Sequence, residues 1–258
     1  MHLTRFRFNT ARGGARKLLS SPQALHAAVM SSFADVVPGA PDTPRVLWRT
    51  DHNARAEVFL YLVSPDKPDL THLVEQAGWP TTATWQTYDY SAFLSRLTTG
   101  STWAFRLTAN PEHSIRRKPG EPTKRTAHLT PAHQMAWLLQ RQEKAGFRVV
   151  EKPEEQRRTR DDVHELIVHD RRSRSFDKRH RDEDGGTSRS EGDVAGQAES
   201  SGRTGQGRGR AGRVTLVTAT FDGRLRVTDA DKLRRTLTAG LGRAKAYGCG
   251  LMTLAPVS

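Results

Sequence analysis

Apolar residues in the opening HLTRFRFN fall among polar ones, with Leu3, Phe6 and Phe8 spaced as in a strand that can sit at a sheet edge. The stretch ARGGARKLLS interrupts this pattern with Gly and Arg and reads as a loop. In SPQALHAAVMSSF the period changes. Leu25, Val29 and Phe33 recur at four-residue spacing, Ser21 stands where an N-cap belongs and Pro22 takes the first helical position, so a helix is expected. RVLWRTD and AEVFLYLVSP predict two strands about a turn at Asp51 to Arg55. DLTHLVEQAGWP predicts a short helix closed by Gly78 and Pro80, and WQTYDYSAFLSRL a fourth strand followed by a polar turn. The order is βαββαβ within about 100 residues, the ferredoxin-like plan.

The second half repeats that order with interruptions. STWAFRLTANP reads as a strand, HSIRRKPGEPTKRTAH as a basic loop, and TPAHQMAWLLQRQEKAGF as a helix with Thr130 as N-cap, Pro131 next and Gly146 near its end. DVHELIVHDRR follows as a strand. RVTLVTATFDGRLRVTDADKLRRTLTAGLG predicts two strands joined at Asp222-Gly223 and a helix capped by Asp229, before a closing strand in GLMTLAP. The expected fold class is therefore α+β: two tandem ferredoxin-like (RRM-like) units, 1–98 and 99–258, with an insertion at about 178–212 in the second. Between Arg181 and Arg213 the single branched aliphatic is Val194 and aromatics are absent, so too little apolar area is available to offset ordering entropy and disorder is expected. The segment reads as a flexible insertion in a hairpin loop, although its GRTGQGRGRAGR end has the composition of RNA-contacting Arg-Gly tracts.

Charge narrows the partner. Forty-one Lys and Arg stand against 28 Asp and Glu, a formal net charge of +13, which points to a polyanion: nucleic acid first, an acidic membrane surface second. No run approaches the roughly 18 apolar residues of a membrane span, and the N-terminus lacks the pattern of a signal peptide, so a cytoplasmic protein is expected. The lone Cys249 leaves no partner for an intramolecular disulfide and no Cys-rich zinc site.

Phosphate chemistry is suggested by GLGRAKAYGCGLMTLAP near the end, but neither common phosphate motif fits. A P-loop requires GxxxxGK[ST] between strand and helix, and a dinucleotide fingerprint the same order, whereas this stretch runs from helix to strand. Two readings stay open: a slim basic loop presenting Arg243 and Lys245 to phosphates, or a helix C-cap and bulge leading into the last strand. The pairs His128/His133 and His164/His169 are spaced by five, which suits neither a helical zinc pair nor one face of a strand, and no metal or other cofactor is expected. His26, five residues beyond the N-cap, lies where the helix dipole favours neutral imidazole, able to accept a proton; Val29 and Phe33 nearby also allow a half-buried residue at the core edge. Arg12, Arg16 and Lys17 precede it in the Arg-rich stretch and would hold phosphates there. Further cations cluster at Arg116, Arg117, Lys118, Lys124 and Arg125, and at Arg157, Arg158 and Arg160. Three basic loops beside β-elements, without the aromatic RNP pattern, favour structured RNA read through its backbone.

Three stretches, QALHAAVMSSF, STWAFRLTANPEHSIR and GLGRAKAYGCGLMTLAP, resemble the CasE family, the RNA-processing endoribonuclease of the subtype I-E CRISPR Cascade complex. The closing G.G.AK..GCGL..LAP pattern is the most specific part and F.L.ANP the next. The resemblance implies two ferredoxin-like domains, which agrees with the element order. It also implies metal-independent cleavage at the 3′ side of the repeat hairpin of precursor CRISPR RNA by the ribose 2′-OH. The products would be a 2′,3′-cyclic phosphate and a 5′-OH, with the mature crRNA retained beside other Cascade subunits. The family's catalytic histidine maps onto His26, as base toward the 2′-OH or as acid toward the leaving 5′-oxygen. A tyrosine common three residues earlier is replaced by Gln23, an amide that hydrogen-bonds but does not titrate. The alternatives are a non-catalytic RNA-binding scaffold of the same fold and, third, a basic DNA-binding regulator.

Overall fold

The structure, a computed structural model, describes residues 1–34, 43–79, 85–116, 123–177 and 213–257. The first strand, β1 (His2–Phe8), alternates as its sequence requires, with Thr4, Phe6 and Phe8 buried. Leu3 points to the opposite face and joins a second core. Two helices follow, α1 (Gly13–Ser20) and α2 (Pro22–Met30), where the sequence predicts a loop and one helix. Ala15 and Leu18, three residues apart, give α1 its buried side, and Gly14 lets it approach the later helix over Thr71–Ala77: a Cβ there would lie 2.2 Å from the Gln76 carbonyl oxygen. Then come β2 (Leu47–His52), β3 (Val58–Ser64), α3 (Thr71–Ala77) and β4 (Trp85–Asp89). The sheet order is β2-β3-β1-β4, antiparallel throughout, which is the ferredoxin-like arrangement. The residues expected to form a polar turn after β4 instead form α4 (Tyr90–Ser95), capped by Asp89 and anchored by buried Tyr90 and Leu94.

The second half contains β5 (Thr102–Ala109), β6 (Glu112–Ile115), β7 (Lys124–Ala127), α5 (Pro131–Leu139) and β8 (Phe147–Val149). It ends with β9 (Leu166–Asp177), β10 (Arg213–Val227), α6 (Ala230–Ala239) and β11 (Met252–Pro256). Its sheet runs β11-β5-β10-β8, with β9 also paired to β10. Replacing each strand by its place in the repeat gives the same order as in the first half. The expected basic loop is a hairpin, β6 against β7, with Ser114 opposite Arg125 and Ile115 opposite Lys124. Asp222-Gly223 does not turn the chain, because β10 runs straight through it. Asp222 faces Arg106 across the β5 pairing and binds it with both oxygens, and a Cβ at Gly223 would sit 2.3 Å from the Glu165 carbonyl oxygen. The expected insertion at 178–212 lies outside the described residues.

Two cores result. Phe6, Phe8, Leu25, Val29, Leu60, Leu62 and Leu73 fill the first, between the sheet β2-β3-β1-β4 and its helices. Leu47 and Val63, opposite each other on β2 and β3, belong to the second core with Leu107, Phe147, Phe221 and Leu237. Burying each such side chain contributes about 1.5–3 kcal/mol. A polar tie crosses with them: Arg49 of β2, only 2% exposed, donates to the carbonyls of Arg106 (2.8 Å) and Leu251 (3.0 Å), to Thr253, and twice to Asp51. By its contacts the chain forms one large unit, Met1–Arg172 with Val217–Ser258, and a small one, Ser173–Leu216, within which Ser175 and Thr215 bring their hydroxyls to 3.5 Å.

Candidate active site

Helix α2 is built by its first residues. Ser21 is extended and its side chain accepts a hydrogen bond from the Ala24 amide at 3.2 Å, while Pro22 at the first position needs no partner for a missing N–H. Leu25 and Val29 go inward, leaving His26 half-buried beside them. His72 of α3 fixes the helix from the other side, its Nε2 lying 2.9 Å from the Ala28 carbonyl oxygen. The Nδ1 of His26 is buried without a hydrogen-bond partner. Burial holds the His26 imidazole below its ordinary value of 6.5, because a charge there would lose hydration without gaining a counter-ion. The ring is thus neutral near pH 7, the form that accepts a proton.

Against α2 rests a single 3-10 turn, Lys245–Tyr247, from the glycine-rich segment between α6 and β11. This segment settles onto two tryptophans. Gly242 has φ +84° and a Cβ there would lie 3.1 Å from the Trp137 ring; Gly248 has φ +80° and would meet the Trp48 ring at 2.6 Å. The glycines therefore fit the chain to its own aromatic floor, and Gly240 ends α6 at φ +78° as the C-cap reading expected. Arg243 is exposed on the loop, and Lys245 is half-buried beside α2.

The other sequence-selected cations separate into several groups. Arg12 places its guanidinium on the carbonyls of Val74, Glu75 and Gly78, closing the end of α3. Arg16 donates to the Thr10 and Ala11 carbonyls, and Lys17 is exposed on α1. Arg116, Lys124 and Arg125 are exposed on the β6-β7 hairpin, whereas Arg117 and Lys118 lie outside the described residues. Arg157 donates to the Lys152 carbonyl, with Arg158 and Arg160 exposed beside it. The structure thus brings Lys245 to the helix of His26, and Arg125 and Arg243 to one cavity of about 410 Å³ with Arg141. A neighbouring cleft of about 470 Å³ shares Arg141 and Gly242 with that cavity and adds Lys144, Lys232, Arg235 and Lys245. Arg141 and Lys144 in the turn after α5, and Lys232 and Arg235 on α6, escape a reading of the sequence because about ninety residues separate the two groups and only the fold brings them to one cleft; projecting α6 onto its helical faces is the signal that would find the second pair.

Of the histidines paired by sequence, His128 stacks on His113 instead, ring centroids 4.3 Å apart, and His169 meets Asp222 at 3.0 Å. Among the described residues no three His, Cys, Asp or Glu side chains converge as metal ligands, and no helix is long and apolar enough to cross a membrane.

Two sheets of identical strand order, with a neutral histidine and a basic loop against the same helix, define an α+β protein of the tandem ferredoxin-like class. Residues 1–256 match the family model described as CRISPR associated protein, and the chain belongs to that family. It is 28% identical over 258 residues to the CRISPR-associated endoribonuclease Cse3 of Thermus thermophilus, spanning 99% of this chain and all of that one. A solved structure of Cse3 bound to 19 nt RNA superposes with a TM-score of 0.66 at 24% identity over 99% of each chain. A chain of a CRISPR RNA-guided surveillance complex superposes at 0.55 and 19% identity over the full length of both. The resemblance read from three short stretches thus extends over the whole chain.

Proposed function

We propose that this chain is a metal-independent endoribonuclease that binds the repeat hairpin of precursor CRISPR RNA, cleaves at its 3′ side and keeps the crRNA as a subunit of a Cascade effector. The observation that carries this reading is His26: a half-buried imidazole with a depressed pKa, one turn into α2, beside the Lys245–Tyr247 turn. The full-length similarity to Cse3, named an endoribonuclease and solved with RNA, supports the substrate class.

In the proposed reaction His26 removes the proton of the ribose 2′-OH upstream of the cut. The 2′-oxygen attacks phosphorus, the bond from phosphorus to the 5′-oxygen breaks, and that oxygen takes up a proton. A 2′,3′-cyclic phosphate and a 5′-OH result. Burial suits His26 to the base role, since it preserves the neutral ring. Exposed Lys17, Arg125, Arg158, Arg160 and Arg243 would bind the RNA backbone, together with Lys245 on the turn that packs against the catalytic helix. Arg12, closing the end of α3, acts by positioning α1 against it.

The test uses a matching repeat RNA in EDTA, with and without a 2′-deoxy substitution just upstream of the cut. Cleavage of the ribose form to a cyclic phosphate, with none of the deoxy form, is expected. Cutting of the deoxy substrate would end the 2′-OH mechanism, and binding without cutting by wild type would leave the scaffold reading in its place.

A further inference from the structure

The base of the β6-β7 hairpin holds a feature that neither His26 nor the terminal loop accounts for. His113 of β6 and His128, just after β7, stack with ring centroids 4.3 Å apart and planes 28° from parallel. Their rings line the cavity of about 410 Å³ that also exposes Arg125, Arg141 and Arg243. Stacked imidazoles do not aim their nitrogens at a common point, so the arrangement suits an anion better than a metal ion.

The charges around the stack are unbalanced. Among the described residues, Glu112 of β6 is the one carboxylate lining the cavity, and it accepts the Asn110 amide at 2.7 Å. Facing it are Arg125 from β7, Arg141 from the turn after α5 and Arg243 from the terminal loop, with the His133 ring 5.8 Å from that of His128. Arg141 is held firmly: it donates to the Trp137 carbonyl at 2.8 Å and lies over the Trp137 ring at 4.4 Å. Its ionisation is disfavoured by burial and by Arg243, the condition of a cationic pair without a counter-ion. His128 is likewise held below its ordinary value, by burial first and then by His113, His133 and Arg141. An anion entering here would relieve the repulsion among the arginines and favour the charged imidazole.

We propose that this cavity is a phosphate subsite for the RNA backbone, and that His128, stacked on His113, takes up a proton as the phosphate enters. The occupant rests on the RNA-binding reading given above; the hairpin that forms one wall also carries exposed Arg116 and Lys124. The sign follows from linkage. A group whose pKa is low in the free protein and raised in the complex tightens binding as pH falls through the bound value, and the gain is complete below the free value. Backbone phosphodiesters stay ionised throughout, so the proton belongs to the protein.

The experiment measures binding of the repeat hairpin between pH 8 and pH 5.5 at constant ionic strength, in a His26→Ala background so that cleavage and the His26 ring do not contribute. The dissociation constant is expected to tighten by up to about tenfold per pH unit for one coupled proton. His128→Gln, which keeps a polar side chain without the titration, should flatten that slope, and His113→Gln should reduce it. Thermal melting of each variant guards against misfolding, and two separate substitutions keep the outcome readable if one fails to fold. A slope identical in His128→Gln and its parent, or no slope in the parent, would overturn the subsite. Cleavage by wild type with a flat slope would sink the subsite alone. A pH-linked slope with no cleavage would sink the enzymatic reading and leave the subsite standing.

Discussion

Helices α2 and α5 occupy the same place in the two halves of the molecule, each crossing from the first strand of its unit to the second. Both run nine residues, both have proline at the first position, and both are capped by a hydroxyl, Ser21 accepting from Ala24 and Thr130 from His133. Each carries a histidine, and the two histidines differ completely. His133 is three residues past its cap, so its Nδ1 lies 2.8 Å from the Thr130 hydroxyl and the ring is exposed. His26 is five residues past its cap, beyond the reach of Ser21, half-buried and with Nδ1 unpartnered. The same local rule builds both helices. Two positions of offset decide whether the imidazole completes a cap or remains available for chemistry.

The strongest way to break this comparison is to remove the available ring. His26→Ala is expected to lower the cleavage rate by about 10²–10⁴-fold, the usual contribution of a general base, while the hairpin still binds. Single-turnover cleavage and a native gel on the same samples measure both. A loss below tenfold would move the chemistry off α2.

A second substitution asks whether the halves are separable at all. Arg49 ties β2 to the carbonyls of Arg106 and Leu251, and Arg49→Met would remove its donors from those carbonyls and leave the Asp51 carboxylate with the Arg106 guanidinium at 3.8 Å in place of a two-pronged partner. Breaking a buried ion pair typically costs about 3–5 kcal/mol. Urea unfolding should show the loss in a single transition. Two resolved transitions in the wild type would instead mark the halves as independent folding units, with the boundary at 98/99 that the strand order suggested.

The next effect is smaller and concerns protonation. Because burial lowers the His26 pKa, a base at this position stays neutral to below pH 6.5. The acid limb of kcat/KM should therefore fall below that value, dropping about tenfold per pH unit beneath it. A limb above 6.5 would show that bound RNA stabilises the imidazolium, which is the behaviour of an acid.

What the sequence disclosed, and what it hid, follows the reach of its signals. Ser21-Pro22, Thr130-Pro131 and Asp229 announce helix starts because capping is decided within four residues, and all three side chains make the expected bond. Helix α1 is hidden in the sequence because two glycines and two cations mask a buried face of only Ala15 and Leu18, which a neighbouring helix supplies with a reason to form. Asp222-Gly223 carries the local signature of a turn, and it is overruled by pairing with β5 more than a hundred residues away. The basic residues show the same limit. Arg12 and Arg243 are equally cationic in the sequence, yet one donates to three carbonyls at a helix end and the other faces a cavity. Composition counts charge, and only tertiary structure says where it is already used.

The finest test returns to the two caps. Ser21→Ala and Thr130→Ala each remove one side-chain acceptor from an amide in the first helical turn, at a cost of about 1 kcal/mol. For a chain of this size that lowers Tm by about 2–4 °C, equally for both. Their effects on the reaction should part. Loss of the Ser21 cap frays the turn that leads to His26, so single-turnover cleavage at saturating RNA should slow by a few fold. Loss of the Thr130 cap releases the His133 ring beside the His113–His128 stack, so the change should appear in RNA affinity and its pH dependence, with the cleavage step less affected. Matching losses in cleavage from both variants would mean that the caps act only through global stability, and the two helices would then differ in sequence without differing in role.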